Sequence, residues 1–208
     1  MTDLIAAVRR ELPGVLADLT RLVAIPSISS EPEHAADVRA TADAVATLLA
    51  DAGCPDVRVV DAGGQPAVIA RFPAPEGAPT VCLYAHHDVQ PPGDEALWTS
   101  SPFAVERRGD RLFGRGVVDD KAGIAVHLAA LRALRGTPAV GVTLFIEGEE
   151  EIGSPSLAAL LAAHRAELAA DAFVIMDSAN WAVGRRGRRS CCWGWWSLRP
   201  CWRRGWCP

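Results

Sequence analysis

The feature of the sequence that most constrains its fold is a set of three short, uninterrupted apolar runs separated by segments of helical periodicity. The runs cover residues 80–85, 140–146 and 172–176, and the helical segments between them cover about 121–135 and 155–168. Apolar strands that alternate with helices are typical of a mostly parallel sheet covered by helices on both faces. The sequence therefore predicts an α/β fold with three layers, α/β/α.

The rest of the chain up to residue 184 has similar local patterns. Apolar residues at helical spacing predict further helices, at 3–11, 14–24 and 35–52. β-rich runs predict further strands, at 57–60 and 67–72, and as the two arms of a hairpin, 104–107 and 111–113, that turns at Gly109-Asp110. We expect residues 1–184 to form one domain.

Composition limits the class of protein. The chain has 208 residues, is 50% hydrophobic and 22% charged, and has a net charge of −4, which is typical of a globular protein of one domain or slightly more. No apolar run approaches the roughly 20 residues that span a bilayer, and the N-terminus lacks the layout of a secretory signal. We therefore expect a cytoplasmic protein with no membrane or nucleic-acid partner.

The segment 185–208 differs sharply from the rest. It contains seven Arg, five Trp and four Cys and no acidic residue. A basic, Trp-rich segment can bind a membrane surface or nucleic acid, but this one has no helical periodicity. We interpret it as an unstructured tail, read out of frame from a GC-rich coding region whose codons favour Arg, Trp, Cys, Gly and Pro.

Residues with metal-ligand character follow each of the three apolar runs. The first run leads into His86-His87-Asp88, the second into Glu147-Gly148-Glu149-Glu150-Glu151, and the third into Asp177, while Asp119-Asp120 precedes the helix that begins near 121. Ligands of parallel α/β sheets gather beyond the carboxyl ends of the strands. We therefore expect these four clusters to converge on one edge of the sheet.

The residue types indicate metal-dependent hydrolysis. Imidazole and carboxylate groups suit zinc, and manganese or cobalt also fit a carboxylate-rich site. One carboxylate can bridge two ions about 3.5–4 Å apart, as in aminopeptidases and other hydrolases. Of the adjacent Glu150 and Glu151, one can ligate metal while the other takes a proton from the attacking water and returns it to the leaving amine. Asp88, two residues after His86 on an extended strand, can orient the His86 ring.

Other polar residues have simpler interpretations. We expect Glu147 and Glu149 to be solvated acids and Lys121 to be structural, and we leave open whether Asp120 acts at the helix N-terminus or supports the site. The remaining candidates are expected to pack, to face solvent or to be satisfied within helices, and these are His87, His34, His127 and His164, with Cys54 and Cys82 as small thiols.

Five ordered motifs carry a family resemblance: Y-A-H-H-D-V-Q-P-P (84–92), W-x-S-x-P-F (98–103), L-F-G-R-G-V-V-D-D-K-A-G (112–123), E-G-E-E-E-I-G-S (147–154) and M-D-S-A-N-W (176–181). Over about residues 10–184 the chain resembles the di-zinc superfamily of aminoacylases, carnosine dipeptidases and acetylornithine deacetylases. The motif variants are most similar to its dipeptidase branch.

The resemblance implies a hydrolase of peptide bonds in small substrates, most simply dipeptides, with two divalent metal ions. It implies roles for six residues: His86 and Asp177 as ligands of one ion, Asp119 as the bridging carboxylate, Glu151 as a ligand of the other ion, Glu150 as the general base, and Asp88 as the support of His86. The phase of the motif selects Glu150 and Glu151 over Glu149.

The resemblance also implies that parts are absent. Members of the superfamily are much longer, insert a lid domain that often forms homodimers, and supply a last His ligand from a later segment. We therefore expect an incomplete catalytic domain in which the second metal lacks one ligand. Two alternatives stay open, an N-acyl-amino-acid deacylase of the same superfamily and an inactive fragment.

Overall fold

The computed structural model of the chain describes residues 2–177. Four α-helices are present in this part of the chain: α1 (Thr2–Val23), α2 (Ala35–Asp51), α3 (Lys121–Ala133) and α4 (Leu157–Ala163). Seven β-strands accompany them: β1 (Asp56–Val60), β2 (Ala67–Phe72), β3 (Thr80–His86), β4 (Glu106–Arg108), β5 (Arg111–Phe113), β6 (Gly141–Glu147) and β7 (Ala172–Ile175). A short 3-10 turn covers Glu150–Ile152.

Five of the described strands form the central sheet in the order β1-β2-β6-β3-β7. β6 and β7 both pair with β3 in parallel, whereas β2 runs antiparallel to β1 and β6. Four of these five strands therefore point the same way, which confirms the predicted, mostly parallel sheet. Because β6, β3 and β7 are neighbours, their carboxyl ends share one edge. The hairpin β4–β5 forms a separate two-stranded sheet.

Helices cover both faces of the sheet, so the predicted α/β/α layering is also confirmed. On one face, Leu144 of β6 belongs to a core formed with residues of α2 and α3, such as Leu49 and Leu128. On the other face, Phe145 belongs to a core that includes Leu160 of α4. Successive residues of β6 thus enter opposite cores, as the two-residue period of a strand requires.

The N-terminal region corrects the prediction of two helices at 3–11 and 14–24. α1 is continuous, with Pro13 inside it. A proline removes one backbone hydrogen bond from a helix and commonly kinks or ends it. Here, residues on both sides of the proline, including Val8 and Leu19, pack with Ala125 of α3, so tertiary packing compensates for the lost bond.

The last strand corrects a second prediction. The run 172–176 was expected to be buried like the other two, but every residue of β7 is exposed, with Phe173 at 56%. The physical reason is position, because β7 lies at the edge of the described sheet and pairs only with β3. Apolar composition alone does not distinguish an edge strand from a central strand.

Residues 185–208 lie outside the described residues, so the predicted domain boundary after residue 184 stays a prediction. Within residues 2–177, no helix combines the length and the apolar character that crossing a membrane would need.

Candidate metal centre

The side chain of His86 lies at the centre of the site, where β3 ends. It is completely buried, and its Nε2 atom is 2.9 Å from Asp119 Oδ1 and 3.9 Å from Glu150 Oε2. Asp119 comes from the loop before α3, and Glu150 begins the 3-10 turn that follows β6. The predicted convergence of separate chain segments therefore takes place around one imidazole.

Two groups of potential ligand atoms share this imidazole. His86, Asp119 and Glu151 form one group, and His86, Glu150 and Asp177 form the other, with the ligand atoms of each group within 4.8 Å of one another. All four predicted metal ligands and the predicted base thus meet at the edge of the sheet. One imidazole surrounded by carboxylates is a donor set that zinc accepts and that manganese also tolerates. The residues present fit a site for divalent metal.

Asp88 lies beneath this cluster and is completely buried. Its Oδ1 atom is 3.3 Å from Nδ1 of His86. The same carboxylate accepts hydrogen bonds from the backbone amides of Glu150 and Glu151, at 3.2 and 3.1 Å, and from the Ser29 hydroxyl at 2.6 Å. Asp88 therefore contacts His86, as expected, and also holds the turn that carries both glutamates.

The electrostatics of the site favour a positive charge. Burial alone would lower the pKa of His86, but the hydrogen-bonded Asp88 carboxylate, with Asp120 and Glu150 nearby, raises it to about 10. Burial, followed by neighbouring acids, raises the pKa of Glu150 and of Glu151, since crowded carboxylates disfavour their charged forms. The excess of acidic groups around the His86 ring creates a negative electrostatic potential, which a bound cation would reduce.

Asp120 combines the two roles that the sequence left open. Its side chain caps α3 by accepting a hydrogen bond from the Gly123 amide at 3.2 Å. It also accepts a bond from the backbone amide of His86 at 3.3 Å. Burial raises the pKa of Asp120 to about 7, although the charge of His86 opposes the shift. The peptide bond between Asp119 and Asp120 is cis.

Lys121 is structural, as predicted. Its side chain is completely buried, and Nζ donates hydrogen bonds to the carbonyl oxygens of Leu22 and Ile25, both at 2.8 Å. Burial lowers the pKa of Lys121 to about 7. These carbonyl groups lie at the C-terminal end of α1 and just after it, and each also accepts a backbone amide. The amine of Lys121 therefore ties this segment to the start of α3.

The prediction that Glu147 and Glu149 are solvated acids is wrong, because both are buried. Glu147 accepts a hydrogen bond from the Tyr84 hydroxyl at 2.5 Å. Glu149 accepts bonds from the Gln65 amide at 2.7 Å and from the amide and hydroxyl of Ser156, at 2.9 and 2.6 Å. Such donors offset the cost of burying a carboxylate. Tyr84 and Gln65 come from distant segments, and sequence spacing does not reveal these two contacts.

His87 packs inside the protein, one of the two options predicted for it. Nε2 donates a hydrogen bond to the Pro66 carbonyl at 2.8 Å, and burial lowers the pKa of the ring to about 4. A Cβ atom on Gly148 would lie 2.7 Å from the His87 ring and 2.6 Å from the Pro66 oxygen. The E-G-E sequence after β6 therefore needs glycine for close packing. His127 is a satisfied helix residue, 3.0 Å from the Tyr84 carbonyl.

Two residues of the site were not predicted. Ser29 contacts Asp88 as described, and Gln90 Nε2 donates to the backbone oxygen of Glu151 at 2.8 Å and to its Oε2 atom at 3.0 Å. Gln90 belongs to a motif used above only for family resemblance, and its position two residues after Asp88 is the signal that could have indicated it. Ser29 lies outside the predicted helices and strands, and no local pattern marks it.

Comparison with known proteins agrees with this architecture. The model of peptidase family M20/M25/M40 matches residues 82–190, a segment that contains all six predicted site residues. The match covers more than half of the chain. The chain therefore belongs to this family of metallopeptidases.

Individual proteins of known name are also similar to the chain. A cysteinylglycine-S-conjugate dipeptidase of Corynebacterium striatum is 33% identical over 173 residues, which are 82% of this chain and 38% of the relative. A succinyl-diaminopimelate desuccinylase of Rhodopseudomonas palustris is 40% identical over 111 residues, 50% of this chain and 29% of the relative. The crystal structure of human carnosine dipeptidase 1 superposes with a TM-score of 0.78 at 27% identity, covering 86% of this chain and 41% of that one. The chain thus spans about two fifths or less of the length of these proteins.

Proposed function

We propose that the chain carries the N-terminal part of the catalytic domain of a dipeptidase that uses two divalent metal ions, and that its substrates are small peptides. One observation carries this proposal: four carboxylates surround the imidazole of His86. These five side chains come from the ends of three strands and the start of a helix. The dipeptidases among its relatives support the substrate class. Zinc is the proposed metal, with manganese or cobalt as alternatives.

In this proposal, the ligands divide between two ions. His86 Nε2 and Asp177 would hold one ion, Glu151 would contribute to the other, and Asp119 would be shared by both. Divalent ions held by these residues would supply polarisation of the scissile carbonyl and would lower the pKa of the attacking water. Since Nδ1 of His86 faces Asp88, Nε2 is the ring atom available as a ligand.

Glu150 is the proposed general base, and its surroundings differ from those of Glu151. Gln90 holds the Glu151 carboxylate, whereas the Glu150 carboxylate accepts no hydrogen bond from another described residue. The Glu150 side chain is 36% exposed, so water can reach its carboxylate. The backbone of Glu150 is fixed by Asp88, whereas its carboxylate can move. Such a carboxylate can take a proton from water and deliver it to the leaving amine.

The test of this role is Glu150→Gln, with the exposed Glu76→Gln as the control variant. We expect turnover of dipeptides to fall by about 10²–10⁴-fold in Glu150→Gln, which is the usual contribution of a general base, while bound metal stays near the wild-type amount. The measurements are metal analysis and steady-state hydrolysis on the purified chain. Unchanged turnover in Glu150→Gln would contradict the assignment.

A second function is favoured by the relatives with desuccinylase names, namely hydrolysis of N-acylated amino acids at the same site. A substrate panel separates the two, with dipeptides such as Cys-Gly on one side and N-succinyl and N-acetyl amino acids on the other. Preference for the acylated compounds would replace the dipeptidase proposal. Metal binding without turnover of either class would instead identify the 208-residue chain as an inactive fragment.

A further inference from the structure

We propose that Ser29 is a positioning residue of the metal centre, and that it acts by fixing the carboxylate of Asp88. This inference rests on the proposed function, since it assigns a role toward the ions that the site would hold. Ser29 belongs to the segment between α1 and α2, far in sequence from every predicted ligand.

The argument begins with the way in which the Asp88 carboxylate is shared. Its Oδ1 atom accepts the Glu150 amide at 3.2 Å and lies 3.3 Å from His86 Nδ1. Its Oδ2 atom accepts the Glu151 amide at 3.1 Å and the Ser29 hydroxyl at 2.6 Å. Each oxygen therefore contacts one amide of the glutamate turn and one further partner. Rotation of this carboxylate would disturb His86 and the turn together.

Ser29 is the side chain that opposes such rotation. Its hydrogen bond to a charged acceptor is short, and charge-assisted bonds of this kind are roughly twice as strong as neutral ones. Ser29 and Asp88 are both buried, so water does not readily replace a missing hydroxyl. Without it, Oδ2 would keep one donor, and the carboxylate would regain a second only by turning.

The backbone delivers Ser29 to this position. Ile28 and Val89 form a parallel bridge, and the Val89 amide donates to the Ser27 carbonyl at 2.9 Å. The segment 27–29 thus lies along residues 87–89 like a short extra strand. This pairing makes the Ser29 contact a consequence of the fold rather than an isolated surface contact.

Ser27 supplies a matched control. It is also buried, in the same segment, and its hydroxyl donates to the His87 backbone carbonyl at 2.7 Å. Ser27→Ala and Ser29→Ala each delete one buried hydroxyl and one hydrogen bond, but only Ser29→Ala removes a partner of the Asp88 carboxylate. A purely structural role of Ser29 would give the two variants the same behaviour at the site.

The first measurement is hydrogen exchange on the metal-free, full-length chain, with thermal unfolding to verify that each variant folds. We expect the amides of Glu150 and Glu151 to exchange about tenfold faster in Ser29→Ala, because the net free energy of one hydrogen bond corresponds to about a factor of ten in an equilibrium constant. Ser27→Ala should leave these two amides near the wild-type rate. Ser29→Thr, which restores a hydroxyl, should return the rates toward wild type.

The second measurement is zinc titration against a competing chelator. We expect Ser29→Ala to weaken zinc binding by about 10–100-fold, the usual effect of removing a group that supports a ligand, while Ser27→Ala binds as wild type does. Equal exchange rates and equal zinc affinities in the two alanine variants would overturn the role of Ser29. A wild-type chain that takes up no zinc, manganese or cobalt would instead refute the proposed metal centre, and the exchange experiment alone would then decide whether Ser29 holds the turn.

Discussion

The two strands that flank β3 offer an instructive contrast. β6 and β7 both run parallel to β3, and Leu83 of β3 lies opposite Leu144 on one side and Val174 on the other. Every residue of β6 is buried, whereas every residue of β7 is exposed. Both strands nevertheless lead directly into acidic residues of the candidate site.

The acidic groups on the two sides are held differently. On the β6 side, Asp88 fixes the backbone of Glu150 and Glu151, and Gln90 fixes the carboxylate of Glu151. On the β7 side, Asp177 follows an exposed strand. Among the described residues, the half of the site on the β6 side is therefore the rigid half, because hydrogen bonds to Asp88 and from Gln90 hold its two glutamates.

The largest expected change in the free energy of unfolding comes from substitution of Asp88, which holds the rigid half of the site. Asp88→Ala leaves the Ser29 hydroxyl and the backbone amides of Glu150 and Glu151 without their buried acceptor and removes the carboxylate beside His86, so we expect a loss of about 3–5 kcal/mol in the free energy of unfolding. Asp177→Ala removes an exposed carboxylate and should change that free energy by less than about 0.5 kcal/mol. Urea unfolding of the metal-free chain measures both. Equal losses in the two variants would show that the halves are equally rigid.

A packing comparison should give a smaller but related difference. Leu144→Ala opens a cavity in a fully buried strand and should cost about 2–5 kcal/mol. Val174→Ala, at the same level of the sheet but 40% exposed, should cost less than about 1 kcal/mol, since little buried surface is lost. The same unfolding experiment applies. A large loss in Val174→Ala would mean that β7 is covered in solution.

The smallest expected effect is on the pH dependence of stability, and it comes from His127, a buried residue of α3. Burial lowers the pKa of His127, so the folded chain keeps this ring neutral at a pH where the unfolded chain protonates it, near the ordinary value of about 6.5. At this ring the unfolded state then binds more protons, so the contribution of His127 to stability falls as the pH drops below about 6.5, with a maximum slope of about 1.4 kcal/mol per pH unit.

Substitution of the ring tests this contribution. We expect His127→Gln to remove this contribution to the slope between pH 6.5 and 5, while the contribution of His87, whose pKa is lowered to about 4, stays. Urea unfolding at a series of pH values gives the slope, and the comparison at pH 8, where the His127 ring is neutral in both states, isolates the effect of packing. An unchanged slope in His127→Gln would contradict the linkage.

The extent to which the sequence predicts this structure differs between local and distant features. Apolar runs and the acids that end them predicted β3, β6, the start of α3 and the meeting of His86 with Asp119, Glu150, Glu151 and Asp177. Continuity of α1 through Pro13 and the exposure of β7 were not predicted, because both depend on what packs against the element. The burial of Glu147 and Glu149 was missed for the same reason.

The chain's own sequence determined the alternation of strands and helices and the chemical identity of the groups at the strand ends, since both follow from local periodicity and from the side chains themselves. The tertiary structure alone decided which polar groups support the others. Asp88 reaches Ser29 and the glutamate turn across about sixty residues of chain in each direction, and contacts of that separation arise from pairing between segments, which no local pattern records.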